Sequence, residues 1–139
     1  MADIVNEKRR SEIMGKIRSK GTKPEMTVRK LLHAMGYRYR LHVAGLPGKP
    51  DIVFPARRKV IEVRGCFWHQ HEDPACGIVR QPKSNRDYWL PKLERNVERD
   101  AKQEAELRAL EWDVLVVWEC EVLAGSGLVE RVVEFLDQA

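Results

Sequence analysis

The thiol and imidazole side chains of this 139-residue sequence have the types and spacing of a metal-binding site. Cys66, His71 and Cys76 follow one another as C-x4-H-x4-C, and Cys120 follows an apolar run nearer the C-terminal end. Thiolate sulfur and imidazole nitrogen are ligands of tetrahedral zinc, and a site filled by four protein ligands is structural. The sequence therefore predicts a structural Zn²⁺ site at these four residues. The alternative is that the three cysteines are small hydrophobic residues of the core.

Acidic residues around a predicted hairpin form a second candidate site. Pro50-Asp51 opens one strand-like run, while Glu62 and Arg64 lie two positions apart, and so on one face, in the next. Carboxylate oxygens suit Mg²⁺, whose other ligands are commonly water and substrate phosphate. This arrangement resembles the PD-(D/E)XK motif of nucleases. The alternative is a turn aspartate plus an ion pair on an edge strand.

Asp100 is expected to face the protein interior. It falls within the apolar stripe of a predicted helix, which is formed by Leu93, Val97 and Leu107. A buried carboxylate needs a partner, and His69 could provide one because it is not among the predicted zinc ligands. An imidazole oriented by a carboxylate can act as a general base. The alternative is that the helix is rotated, so that Asp100 reaches solvent or a cation such as Arg64.

Glu25 and three aromatic residues each permit a structural and a functional interpretation. Glu25 completes a capping box with Thr22, or it is a carboxylate at the edge of the metal site. Phe67 and Trp68, between two predicted zinc ligands, could belong to the core. Together with Trp89 they could instead stack on or between nucleic acid bases.

Basic residues are concentrated in the N-terminal third of the chain. Residues 1–49 contain 12 Lys and Arg against 4 Asp and Glu, whereas residues 50–139 contain 13 against 17. A segment that faces a polyanion is expected to show this excess, and so is a soluble basic surface. The length of the chain predicts one domain over residues 1–139. We expect it to lie in the cytosol, because no stretch is apolar enough for a signal peptide or a membrane span.

The elements that must position these residues follow from turn signals and periodicity. Thr22-Lys23-Pro24-Glu25 starts a helix that ends at Gly36. Alternation and apolar runs predict strands at 37–43, 51–54, 59–64 and 112–118, with further helices at 91–110 and 127–136. Residues 3–19 are expected to form a short helix or a basic arm. The order αα-βββ-α-β-α predicts an α/β fold with a mixed central sheet flanked by helices.

Four sequence blocks resemble the very short patch repair (Vsr) DNA endonuclease family. The blocks are Pro47-Gly48-x-Pro50-Asp51, Gly65-Cys66-Phe67-Trp68-His69-x-His71, Asn96-Val97-Glu98-Arg99-Asp100 and Val116-Val117-Trp118-Glu119-Cys120. The resemblance extends over nearly the whole chain and implies a PD-(D/E)XK restriction-endonuclease-like core. It also implies a Mg²⁺-dependent bacterial enzyme that nicks one strand of duplex DNA. The nick would lie 5′ to the thymine of a T:G mismatch produced by deamination of 5-methylcytosine.

The resemblance further implies a role for each matching residue. Asp51 and the backbone carbonyl of Val63 would bind Mg²⁺, while Glu25 would order metal-bound water. His69 would be the general base and Asp100 its partner. The residues implied to hold the structural Zn²⁺ are Cys66, His71, Cys76 and Cys120.

Contacts to DNA are also implied by the resemblance. Phe67, Trp68 and Trp89 would wedge into the helix beside the mismatch, and Met14 would enter from the minor groove. Residues 1–20 would form a DNA-contacting arm. Two adjacent positions depart from the family pattern, because Val63-Arg64 stands where the pattern has Thr-His. The absent histidine would position water, and Glu62 and Arg64 could replace that contact with the more usual nuclease arrangement.

The expected partner is double-stranded DNA with a T:G mismatch. We expect the protein to be a cytoplasmic monomer that associates with the nucleoid when it binds DNA. Other mismatch-repair proteins are further candidate partners, and no membrane is involved. Two alternatives to the mismatch nicking enzyme stay open. A restriction-type nuclease on the same core would cut both strands of matched DNA. A zinc-stabilised DNA-binding module would show no Mg²⁺-dependent cleavage.

Overall fold

The structure, a computed structural model, describes residues 22–72, 76 and 85–138. Within these ranges the helices are α1 (Lys23–Ala34), α2 (Arg86–Ala109), α3 (Glu119–Ala124) and α4 (Leu128–Asp137). The strands are β1 (Arg40–Leu41), β2 (Ile52–Phe54), β3 (Lys59–Arg64) and β4 (Asp113–Trp118). The predicted N-terminal arm, residues 1–20 with Met14, lies outside the described residues. None of these helices has the length and apolar character needed to cross a membrane.

Among the described residues, four strands form one mixed sheet in the order β1-β2-β3-β4. Strands β1, β2 and β3 are antiparallel neighbours, whereas β3 and β4 are parallel, with Arg64 paired to Trp118. The mixed sheet and the β2–β3 hairpin are as predicted. Because β3 and β4 run in the same direction, the residues that follow Arg64 and Trp118 emerge at the same edge of the sheet.

Two hydrophobic clusters lie on opposite faces of the sheet. Ile61 and Val63 of β3 belong to the larger cluster, together with buried residues of α1, α3 and α4. Val60 belongs to the smaller cluster, in which Leu107 of α2 packs against the sheet. Since side chains alternate along a strand, Glu62 and Arg64 share the face of Val60, which is the face covered by α2.

Three elements differ from the sequence-based predictions. The strand predicted at 37–43 shrinks to the two residues of β1, because His42 has a φ of 48° and leaves the extended conformation. Helix α2 begins at Arg86 rather than Pro91, since a proline in the second turn removes one hydrogen bond without ending the helix. Cys120 lies in the first turn of α3, a helix of 6 residues that is too short to show a periodic pattern.

Candidate functional site

The four predicted zinc ligands lie together at the edge of the sheet where β3 and β4 end. The ligand atoms of Cys66, His71, Cys76 and Cys120 are all within 4.8 Å of one another. His71 Nδ1 is 3.7 Å from the Cys66 sulfur and 3.4 Å from the Cys120 sulfur. Tetrahedral zinc with ordinary bond lengths places sulfur and nitrogen ligands about 3.6 Å apart. The donor set and its spacing therefore fit zinc.

The turn that follows β3 supports these ligands. His69 and His71 donate backbone hydrogen bonds to the carbonyls of Gly65 and Cys66, at 3.1 and 3.0 Å. The imidazole of His71 stacks on Trp118, with ring centroids 4.1 Å apart and planes inclined by 11°. These contacts fix the turn between the end of β3 and the end of β4.

The thiols of the predicted zinc ligands are buried at Cys66 and partly buried at Cys76 and Cys120. Cys66 has no exposed surface, and burial is the main cause that raises the pKa of its thiol to about 12. Burial also raises the pKa of Cys120. Because zinc binds thiolates, binding at this cluster must release protons. Glu119 supports the same turn, since its Oε1 accepts a hydrogen bond of 3.3 Å from the backbone N–H of Cys66.

His69 and Asp100 are in direct contact. The hydrogen bond joins Nδ1 of the imidazole to Oδ2 of the carboxylate, and the two side chains are 26% and 13% exposed. Nε2 is then the nitrogen left for proton transfer. The same turn is tied to α2 by Asn96, whose Nδ2 donates to the carbonyl of Trp68 at 3.0 Å. Asp100 thus pairs with the imidazole, and not with Arg64 as in the alternative considered from the sequence.

The apolar stripe predicted on α2 is only partly correct. Leu93 and Leu107 are buried, but Val97 is 38% exposed. At about 100° per residue, Leu93, Asp100 and Leu107 cluster within about 40°, and Val97 lies on the flank of that sector. The buried side of α2 is therefore narrower than predicted, and it is centred on Asp100.

Asp51 is a partly buried carboxylate beside the end of β3. Its Oδ2 accepts a hydrogen bond of 2.9 Å from the backbone N–H of Val63. Burial raises the pKa of Asp51 to about 7, and the nearby carboxylates of Glu25 and Glu62 also raise it. The Val63 N–H and the Arg29 guanidinium act in the opposite direction. A desolvated carboxylate next to other acids is the environment that a divalent cation stabilises.

Glu25 comes from α1 and contributes a second carboxylate, which is buried. Its backbone N–H donates to Thr22 Oγ1 at 3.4 Å, which is one half of the predicted capping box. Its side chain, 1% exposed, instead contacts Arg29 and lies 3.1 Å from His42 Nε2. The ligand atoms of Glu25, His42 and Asp51 are all within 4.8 Å of one another. The capping box alone therefore does not account for Glu25.

His42 is a residue of this site that the sequence pattern does not reveal. It falls at a polar position of the alternating run at 37–43, where a solvated side chain is expected. Its positive φ and the hydrogen bond from its backbone N–H to the Asp51 carbonyl, 3.2 Å long, place it next to the acids instead. A left-handed non-glycine residue leaves no clear local signal in the sequence.

Glu62 and Arg64 form an ion pair, with Arg64 Nη2 2.7 Å from Glu62 Oε2 and 3.5 Å from Glu104 Oε1. The strand that carries them, β3, lies between β2 and β4 and is not an edge strand. Arg64 also lies over the ring of Trp118, with its guanidinium carbon 5.8 Å from the ring centroid. The pair is thus largely enclosed, while both residues still line the cavity described next.

One cavity of about 740 Å³ brings together most of the candidate catalytic residues. Its lining includes Asp51, Glu62, Val63, Arg64, His69 and Asp100. Trp68 also lines it and belongs to a cluster of three aromatic rings, in which Phe67, Trp68 and Trp89 have centroids 5.5 to 5.7 Å apart. The cavity therefore combines carboxylates, an oriented imidazole and an aromatic rim.

Known proteins resemble the chain over almost its full length. The family model described as DNA mismatch endonuclease Vsr matches residues 2–74. The type II nicking enzyme V.XorIIP of Xanthomonas oryzae pv. oryzae is 51% identical over 99% of this chain and 98% of its own length. The type II nicking enzyme V.NmeAIP of Neisseria meningitidis serogroup A is 48% identical, over 88% and 85%. The DNA mismatch endonuclease Vsr of Escherichia coli K12 is 38% identical, over 98% and 88%. The chain therefore belongs to the Vsr family of DNA mismatch endonucleases.

Proposed function

We propose that this protein is a Mg²⁺-dependent endonuclease that nicks one strand of duplex DNA 5′ to the thymine of a T:G mismatch. The observation that carries the proposal is the shared cavity, which holds both the partly buried Asp51 carboxylate and the His69–Asp100 pair. Family membership supports DNA as the partner. The names of two relatives as nicking enzymes and of a third as a mismatch endonuclease support cleavage of a single strand at a mismatch.

The residues of the cavity divide the hydrolytic chemistry between them. His69, held through Nδ1 by Asp100, accepts a proton from the attacking water at Nε2. Asp51 and the carbonyl of Val63 would hold Mg²⁺, which supplies positive charge to the scissile phosphate and its leaving oxygen. Glu25 keeps a second carboxylate beside Asp51. In our proposal, these residues form the active centre of a nuclease core of the PD-(D/E)XK type.

The aromatic cluster would provide mismatch recognition. Phe67 and Trp68 lie in the turn that also carries His69, and a structural Zn²⁺ at the Cys/His cluster would keep that turn rigid. Aromatic side chains inserted between base pairs require the stack to open, and a mismatched step opens at lower cost than a matched one. Recognition and catalysis would therefore be linked through one short segment.

The test is a cleavage assay with duplexes labelled on both strands. T:G duplexes in a panel of flanking sequences, with matched T:A and C:G duplexes, are incubated with and without Mg²⁺. We expect only the thymine strand of the T:G duplex to be cut, 5′ to the thymine, and only with Mg²⁺. His69→Ala should lack activity, while the exposed His33→Ala serves as a matched control with wild-type activity. Cleavage of both strands of matched DNA, or no Mg²⁺-dependent cleavage, would contradict the proposal.

A further inference from the structure

We propose that His42 and Glu25 bind the divalent ion directly, together with Asp51, so that this site prefers a transition-metal ion such as Mn²⁺ to Mg²⁺. The inference rests on the proposed function in one respect, namely that the Asp51 site holds a divalent ion. It goes beyond that function because it adds an imidazole to the ligand set. No sequence pattern assigns a metal-binding role to His42.

The geometry of the three side chains carries the inference. One ligand atom from each residue lies within 4.8 Å of the others. Two ligands of a small divalent ion are about 3 Å apart when adjacent and about 4.4 Å apart when opposite. Side-chain adjustments on the order of 1 Å would bring the three atoms into one coordination sphere. The three residues come from α1, from the segment after β1 and from the residue before β2, so the fold itself assembles the group.

Burial distinguishes this group from an ordinary surface cluster. The side chain of Glu25 is 1% exposed and that of His42 is 15% exposed. The backbone N–H of His42 donates a hydrogen bond of 3.2 Å to the Asp51 carbonyl, which keeps the two residues side by side.

Arg29 occupies the position where a cation is favoured. Its Nη2 contacts Glu25 Oε2 and lies 3.1 Å from His42 Nε2. Among the described residues, its buried Nε has no hydrogen-bond partner. The guanidinium therefore competes with a metal ion for the same two side chains, while its own hydrogen bonds are incompletely satisfied there. Removing this positive charge should favour binding of a divalent ion.

The chemistry of the ligand set determines the metal preference. Mg²⁺ favours oxygen ligands and retains water, whereas imidazole nitrogen is a good ligand for transition-metal ions. Replacing one water by an imidazole therefore strengthens Mn²⁺ binding more than Mg²⁺ binding. With two carboxylates and one imidazole, we expect Mn²⁺ to bind about tenfold more tightly than Mg²⁺, or better.

The experiment measures metal binding without DNA. Zinc-loaded full-length protein is titrated with Mn²⁺ and Mg²⁺ by calorimetry, and bound Mn²⁺ is examined by pulsed electron paramagnetic resonance for coupling to a ¹⁴N nucleus. The wild type should show nitrogen coupling and the Mn²⁺ preference. His42→Gln should lose the coupling and reduce the preference to about threefold or less, with little change for Mg²⁺. Arg29→Met should bind Mn²⁺ more tightly than the wild type, and His33→Gln should match the wild type.

The outcomes separate this inference from the proposed function. Nitrogen coupling that is missing in the wild type, or that persists in His42→Gln with an unchanged preference, would overturn direct ligation by His42. Unchanged zinc content in every variant excludes Mn²⁺ at the cysteine cluster as the source of the signal. Nicking of T:G duplexes is assayed on the same preparations. Mismatch nicking without nitrogen coupling would support the proposed function and overturn ligation by His42. Nitrogen coupling without mismatch nicking would support the metal site and contradict the proposed function.

Discussion

Replacing Asp51 by asparagine should stabilise the metal-free protein at neutral and alkaline pH. Burial raises the pKa of Asp51 from 3.8 to about 7. Between these two values the unfolded chain ionises Asp51 while the folded protein retains the proton. Folding stability therefore falls as the pH rises from about 4 to about 7 and then stays level. Asparagine has no such charge, and its side-chain oxygen can still accept the hydrogen bond from the Val63 N–H.

The expected magnitude follows from the same two pKa values. A tenfold change in proton affinity corresponds to about 1.4 kcal/mol, so the full difference is at most ~4 kcal/mol. Asp51 is not completely buried, and residual solvation reduces the expected gain to ~2–4 kcal/mol above pH 7. About half of this gain should develop between about pH 5.5 and about pH 7.

Urea unfolding followed by tryptophan fluorescence measures this effect. The buffer contains no Mg²⁺ and no chelator, so that zinc is retained, and the wild type and Asp51→Asn are compared from about pH 5 to about pH 8.5. The exposed Asp113→Asn is the control and should differ from the wild type by a constant amount. Added Mg²⁺ should stabilise the wild type and not Asp51→Asn. A difference that does not change with pH, or an asparagine variant that is less stable at every pH, would refute the reasoning.

Four further substitutions, at Cys120, His69, Asp100 and Trp68, test the other parts of the site. Cys120→Ser should lose bound zinc and lower the melting temperature by more than about 5 °C; stoichiometric zinc with unchanged melting would remove this residue from the ligand set. His69→Ala, Asp100→Ala and the double variant should all reduce single-turnover nicking by a similar ~10²–10⁴-fold with zinc content unchanged; independent, multiplying losses would argue against a functional unit. Trp68→Ala should weaken binding to T:G duplexes ~10-fold and to T:A duplexes less than ~3-fold; equal losses would make it a packing residue.

Local sequence patterns were sufficient to predict those contacts of the site that depend on helical periodicity and residue spacing. The helical repeat of α2 places Asp100 between Leu93 and Leu107, and the structure pairs it with His69. The spacing of the cysteines predicts one cluster, and the parallel register of β3 and β4 brings Cys120 to it. Helix periodicity fixes the direction of the Asp100 side chain, and the strand register fixes the end of the sheet at which Cys120 lies. Both positions could therefore be inferred from their place in the sequence.

Patterns of this kind could not predict the neighbours of Glu25. The sequence indicates that Thr22 and Glu25 start a helix, and they do, but it leaves open whether the Glu25 side chain caps the helix or faces the metal site. That side chain meets Arg29 and His42, and His42 is 17 residues away along the chain. The contact depends on an irregular backbone between β1 and β2, where His42 and Lys49 adopt positive φ angles although neither is glycine. Tertiary packing decides such conformations, and the alternation of polar and apolar residues is then misleading.

The antiparallel direction of β2 brings the acidic group next to the turn that carries Cys66, His69 and His71. Ile52 pairs with Ile61, so Asp51 lies beside Glu62 and Val63, next to the end of β3 from which the turn starts. If β2 ran parallel to β3, Asp51 would lie about four residues nearer the start of β3, on the order of 13 Å from its present position. The parallel β4 independently brings Cys120 to the same edge. Both strand directions are therefore required, which explains why Asp51 and His69 line one cavity although 17 residues separate them in the sequence.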